Sequence, residues 1–212
     1  MSSRSPVSVE RTLDALHSEM RACRRCLEAG FAITPGAIFS GPARARVMIV
    51  GQAPGITEVE AQRPFNASSG RRLFQWLAEA GWEEDAFRAT QYMTAITKCY
   101  PGKSPGGKGD RAPSRAEQKL CAAFLERELA LVTPEIIIPV GGLAIRRFLG
   151  KAKLVNVVGK AVQDDEGRWI VPLPHPSGAS LWLNKPEHQA LVHCAIERLR
   201  AIEHLGKLRD EL

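Results

Sequence analysis

Val47, Met48, Ile49 and Val50 form an apolar run without alternation, closed by Gly51. A run of this kind suits a strand buried on both faces, which restricts the chain to a parallel sheet covered by helices on each side. The loop that follows therefore starts at the carboxyl end of a strand. In Gly51-Gln52-Ala53-Pro54-Gly55 the proline fixes one φ angle, and the flanking glycines allow the backbone to lie close against a ligand. Ten residues beyond Gly55, Phe65 follows Pro64, and Ser68 or Ser69 is placed to cap a helix carrying Leu73, Phe74, Trp76 and Leu77. Read alone, the stretch fits a ligand loop with an aromatic ring beside it and an ordinary strand-to-helix turn equally well.

The rest of the chain continues a βα rhythm. Leu13, Leu16 and Met20 give residues 9–22 the spacing of an amphipathic helix, and residues 27–43 read as loop. Tyr92 to Thr97 is a second strand, Pro134 to Val140 a third, and Trp169 to Leu173 the last, with a hairpin-like segment from residue 153. Ser114 with Glu117 predicts a capped helix through Val132, and Leu191, Ile196, Leu199 and Ile202 mark a closing helix. The 212 residues are enough for one α/β domain over 1–212, with the first eight flexible, and too few for two. No apolar run approaches the roughly 20 residues of a membrane span, and the start lacks a signal peptide's apolar core, so a cytoplasmic protein is expected.

Five cysteines without a secretion signal favour metal ligation or redox chemistry over disulfides. Cys23 and Cys26 form a Cys-x-x-Cys pair, Cys99 ends a strand and Cys121 lies in the first turns of a helix, all places where thiolates can converge; Cys194 reads as an ordinary buried cysteine. Four thiolates suit zinc or an iron-sulfur cluster, and their spacing does not choose between them. The net charge of +6 permits a polyanionic partner. Residues 102–113 are rich in glycine and basic side chains, and read as a mobile loop on the strand-end side, available to phosphates. His175, between Pro174 and Pro176, has little backbone freedom and suits a fixed hydrogen-bond donor.

Taken together, these motifs resemble the uracil-DNA glycosylase superfamily, most closely its iron-sulfur branch, family 4, over about Cys23 to Ser180. Gly51 to Gly55 followed by Pro64 to Gly70 matches the family's first motif in order and spacing. Lys98-Cys99, Arg111-Ala112-Pro113 and Cys121 match the next, and His175-Pro176-Ser177 the second catalytic motif. The resemblance implies a three-layer α/β/α fold around a four-stranded parallel sheet, and a [4Fe-4S] cluster on Cys23, Cys26, Cys99 and Cys121, with zinc the lesser alternative. It also implies a monomer acting on DNA containing uracil, with His175 and Gln52 in catalytic positions. Gln52, Ala53, Phe65, Asn66 and Ala95 are the base-binding positions it implies. Arg71, Arg72, Lys103, Lys108 and Arg111 are candidate phosphate contacts, with Ser177 and Ser180 also near DNA and Leu181 or Trp182 as the wedge behind a flipped base. Three departures stand out. Gln52 replaces the family's glutamate, Ala53 stands where another branch has an aspartate, and Ala95 replaces the asparagine that reads the uracil edge. These departures keep a second expectation open, a non-catalytic reader of damaged or single-stranded DNA. An enzyme acting on a small phosphorylated ligand ranks third, for want of a Walker-type signature.

Overall fold

The computed structural model describes residues 6–107, 109–178 and 180–210. The chain runs α1 (Pro6–Ala22), α2 (Arg25–Glu28), β1 (Val47–Gly51), α3 (Ile56–Ala61), α4 (Ser68–Glu79), α5 (Glu84–Thr90), β2 (Tyr92–Ala95) and α6 (Arg115–Val132). It continues through β3 (Ile136–Pro139), α7 (Gly142–Leu149), α8 (Leu154–Val157), β4 (Val162–Gln163), β5 (Trp169–Ile170), a 3-10 turn (Leu181–Asn184) and α9 (Pro186–Asp210). Among the described residues the strands form one sheet in the order β2-β1-β3-β5-β4. Strands β2, β1, β3 and β5 run parallel to one another, as expected. The sheet has five strands rather than four, because Val162–Gln163 adds an antiparallel edge to β5 across the Asp164–Gly167 turn.

Alternation along β1 shows why this segment organises the fold. Val47 and Ile49 enter one apolar cluster with Leu73, Phe74 and Leu77 of α4 and Val192, Ile196 and Leu199 of α9. Met48 and Val50 enter the other, with Leu13, Leu16 and Met20 of α1 and Phe124, Leu125 and Leu129 of α6. Successive side chains of a strand point to opposite faces, so a strand with no polar residue needs a helical layer on each side. Helix α6 starts as the sequence predicts: Ser114 Oγ accepts from Glu117 N at 3.3 Å, and the Glu117 carboxylate accepts from Ser114 N at 2.7 Å.

Several local expectations need correction. Helix α1 begins at Pro6, ahead of the start expected at residue 9; residues 1–5 lie outside the described ones. Ala67 occupies the N-cap of α4 without a side-chain cap, and Ser68 is already helical. Leu154–Val157 forms a helical turn instead of extended chain. Cys194 is exposed on α9, not buried.

A candidate base-binding cleft and a four-cysteine cavity

A cleft of about 670 Å³ opens at the carboxyl ends of β1, β2 and β3. The Gly51–Gly55 loop, Phe65, Ala95, Asp110, Arg111, His175 and Ser177 are among the residues that line it. Sequence reasoning therefore gathers the right loops, since a parallel sheet delivers all its strand ends to one side. The backbone of Gln52 is fixed, its carbonyl accepting from Thr97 N at 3.3 Å, while Gly51 O accepts from Ile96 N at 3.0 Å. The Gln52 side-chain amide makes no hydrogen bond among the described residues.

Phe65 is held in an uncommon conformation, with φ at 51°. Two glycines make its place possible: a methyl group on Gly51 would lie 3.0 Å from Phe65 Cζ, and one on Gly70 only 1.9 Å from the Phe65 carbonyl oxygen. The Arg88 guanidinium donates to the carbonyls of Pro64 at 2.9 Å and Phe65 at 3.0 Å, while stacking over Phe74 and pairing with Glu84. Glu58 braces the same loop from beneath. Its carboxylate accepts from the amides of Gly55 at 3.0 Å and Asn66 at 3.1 Å, and more loosely from Ala67 at 3.4 Å. Neither Arg88 nor Glu58 was expected from sequence, because both act on backbone atoms and carry no motif that separates them from surface charges.

His175 is exposed and lines the cleft. Desolvation lowers its pKa below the ordinary value, opposed more weakly by the negative charge of Glu58. Nδ1 accepts from Ser177 N at 3.3 Å, so the neutral ring carries its hydrogen on Nε2 and has a donor to offer. Gly141 backs the ring, where a methyl group would stand 3.4 Å from Cδ2.

The other expected positions divide clearly. Ala95 lines the cleft and brings no side-chain amide to it. Asn66 contributes its backbone N–H to Glu58 and does not line the cleft. Arg111 lines the cleft, but its guanidinium is committed to Glu117 at 2.6 and 2.7 Å, and that bond holds the Glu117 carboxyl down to about 2. Lys103 does not line the cleft and pairs with Asp110 at 3.1 Å; Arg71 is exposed on α4 and Arg72 half-exposed beside it. Lys108 lies outside the described residues. Ser180 N donates to Ser177 O at 3.1 Å, closing the turn after His175. Leu181 is 78 % exposed, whereas Trp182 is stacked on His188 at 4.1 Å. Of the two wedge candidates, only Leu181 is unengaged.

On the α1–α6 side of the sheet, Cys23, Cys26, Cys99 and Cys121 line one cavity together with Met20, Ile33, Lys98 and Phe124. Burial raises the Cys99 thiol to about 11, with Cys121 adding to the shift, and burial followed by Cys121 raises Cys26. The thiols feel one another, as four donors around one space must. Among the described residues no three side chains of the ligating types are grouped as a single-ion site. Behind the cavity lies a buried network. Lys98 Nζ donates to Glu128 at 2.5 Å, to Thr94 Oγ1 at 2.7 Å and to the Ala95 carbonyl at 2.6 Å. Glu128 also accepts from Tyr92 at 3.0 Å and Thr94 at 2.9 Å.

Residues 38–200 match the profile of the Uracil DNA glycosylase superfamily. The chain belongs to that superfamily. Within it, the chain is similar to the type-4 uracil-DNA glycosylase of Pyrobaculum aerophilum, with 31% identity over 158 residues, covering 71% of this chain and 74% of that protein. The type-4 enzyme of Thermotoga maritima is 26% identical over 170 residues, 79% of this chain and 83% of the relative. That of Sulfurisphaera tokodaii is 28% identical over 179 residues, 79% and 76% of the two chains. The uracil-DNA glycosylase match spans the whole sheet and the strand-end loops that line the cleft.

Proposed function

We propose that the chain is a monofunctional glycosylase that takes uracil out of DNA and hydrolyses its N-glycosidic bond, leaving an abasic site. The observation that carries this reading is the neutral His175, with its donor hydrogen on Nε2 at the edge of the strand-end cleft. As the C1′–N1 bond lengthens, the base takes up negative charge and the sugar becomes oxocarbenium-like. A neutral donor stabilises that charge at the uracil O2, and the backbone amides of Gln52 and Ala53, on the loop that lines the cleft, would add to it. Phe65 supplies the stacking face. Leu181 is the side chain available to fill the space that the extruded nucleotide leaves. Arg71 and Arg72 serve phosphates; Lys103 and Arg111 are paired with Asp110 and Glu117.

The four thiols fit a [4Fe-4S] cluster: they line one cavity, and the basic side chains of Arg24 and Arg25 line it with them, which suits a cluster whose thiolates bring net negative charge. One zinc ion binds thiolates at about 2.3 Å, which demands a tight tetrahedral group. A [4Fe-4S] cluster spreads four thiolates over a larger centre, and is the occupant we propose. The bound cluster would pin α2, the Cys99 loop and α6 to one another. Chelating the iron or replacing Cys121 by serine is expected to lower the thermal midpoint, while iron and sulfide analysis of the intact protein finds both; zinc alone in the purified protein would refute this assignment.

Ala95 supports a second reading. Without an asparagine at the base edge, the fold could hold damaged or single-stranded DNA without cutting it. The deciding experiment incubates the protein with end-labelled oligonucleotides carrying uracil, hypoxanthine or xanthine, followed by alkali to reveal abasic sites. Release of uracil supports the glycosylase; tight binding with no base released leaves the reader. The protein is expected to act as a monomer in the cytoplasm; no helix among the described residues is long and apolar enough to cross a membrane.

A further inference from the structure

The residues facing the cleft include two carboxylates, Glu58 and Asp110, and they are not equivalent. A methyl group on Gly55 would lie 2.6 Å from Glu58 Oε2 and 2.9 Å from Asp110 Oδ2, so both oxygens flank the same point of the loop. Both Glu58 oxygens are occupied by the amides of Gly55, Asn66 and Ala67 and by the Thr57 hydroxyl at 3.2 Å. Asp110 differs. Tyr100 OH at 2.8 Å and Lys103 Nζ at 3.1 Å both donate to its Oδ1, which fixes the carboxylate plane and leaves Oδ2 without a protein donor among the described residues. Oδ2 is the oxygen turned to the Gly55 loop.

Hydrolysis of an N-glycosidic bond needs a group that orients water and takes its proton, and neither Gln52 nor Ala53 has an acid side chain. We propose that Asp110 is that group: Oδ2 holds the attacking water and accepts its proton. The water oxygen forms a bond to C1′, the C1′–N1 bond breaks, and its electron pair leaves with the uracil anion, whose O2 accepts a hydrogen bond from His175 Nε2. The proton removed from water resides on Asp110 and passes to solvent after base release. The substitution of a carboxylate on the β2–α6 loop for one on the β1 loop accounts for Gln52 and Ala53 without loss of chemistry. This inference rests on the glycosylase reading.

The test is single-turnover cleavage of a uracil-containing single strand by the full chain and by Asp110→Asn, Asp110→Ala, Tyr100→Phe and His175→Ala. Asp110→Asn preserves the size of the side chain and an oxygen for Tyr100, and is expected to slow cleavage on the order of 10²-fold with the Kd for the same strand unchanged. Formate, as a small carboxylate, should restore part of the rate of Asp110→Ala and none of that of His175→Ala. Tyr100→Phe, which touches only Oδ1, should lose less than Asp110→Asn. Wild-type rates in Asp110→Asn would overturn the assignment while uracil release by the parent keeps the glycosylase reading intact. A slower Asp110→Asn with equally weakened DNA binding, or no formate rescue in an Asp110→Ala variant with a native thermal midpoint, would also overturn it. Failure of the parent to release any base would instead remove the reading on which it depends.

Discussion

Replacing Glu128 by leucine is expected to destabilise the fold by about 3–5 kcal/mol, the effect of leaving a buried charge without its partner. Lys98 and Glu128 are 1 % and 0 % exposed, and the three hydrogens of the ammonium are matched by three acceptors, Glu128, Thr94 Oγ1 and the Ala95 carbonyl. Loss of Glu128 also removes the acceptor for Tyr92, whose phenol burial holds firmly protonated. Tyr92 in turn is bonded to His17 at 2.7 Å, and burial keeps that imidazole neutral by lowering its pKa to about 4. Against a typical total of about 5–15 kcal/mol, such a loss leaves little. Urea titration of Glu128→Leu and of the double variant Lys98→Met/Glu128→Leu separates the charge effect from packing: the double variant should recover most of the loss. A single variant within about 1 kcal/mol of the parent would show that water reaches the ammonium and the pair is not buried in solution.

His175→Ala should reduce single-turnover uracil release by about 10²–10³-fold, the usual effect of deleting one oxyanion donor, with little change in DNA affinity. His175→Gln keeps a donor on a side chain of similar reach and should recover part of that. The direction of the pKa shift adds a pH signature. Because desolvation lowers the folded-state pKa, the ring stays neutral to lower pH than a free histidine, and protonation below that point removes Nδ1 as the acceptor for Ser177 N. In the unfolded chain the histidine takes its proton first as pH falls. This group therefore contributes full stability above the unfolded pKa, and that contribution declines as pH drops towards the folded value. Equal rates for His175→Ala and the parent would refute the role.

Much of this arrangement was legible because strand ends are easy to read. The run Val47 to Val50 fixes the buried strand, a parallel sheet brings its carboxyl ends together, and Pro54 and the prolines around His175 mark rigid loops. The short helices were not legible: Arg25–Glu28, Ile56–Ala61 and Glu84–Thr90 are too brief for a helical period to emerge, whereas the hairpin-like segment expected before the last strand is found as Val162–Gln163 paired with Trp169–Ile170. The roles of Glu58 and Arg88 depend on which backbone atoms they reach. Those of Arg111 and Asp110 depend on partners across the basic loop. Charge alone placed Arg111 on DNA, whereas burial of Glu117 next to it claims the guanidinium first.

The left-handed backbone at Phe65 has a consequence for how selectivity can arise. A residue held there by Gly51, Gly70, Glu58 and Arg88 has spent its torsional freedom during folding, at a cost of order 1–3 kcal/mol borne by the whole protein. The ring then meets any incoming planar group without further ordering, and stacking on it discriminates poorly, since every base offers a flat face. Discrimination has to come from groups that meet the base at its edges and from the ease with which a nucleotide leaves its own stack. A rigid plate of this kind is a place to wait, while the choice is made elsewhere in the cleft.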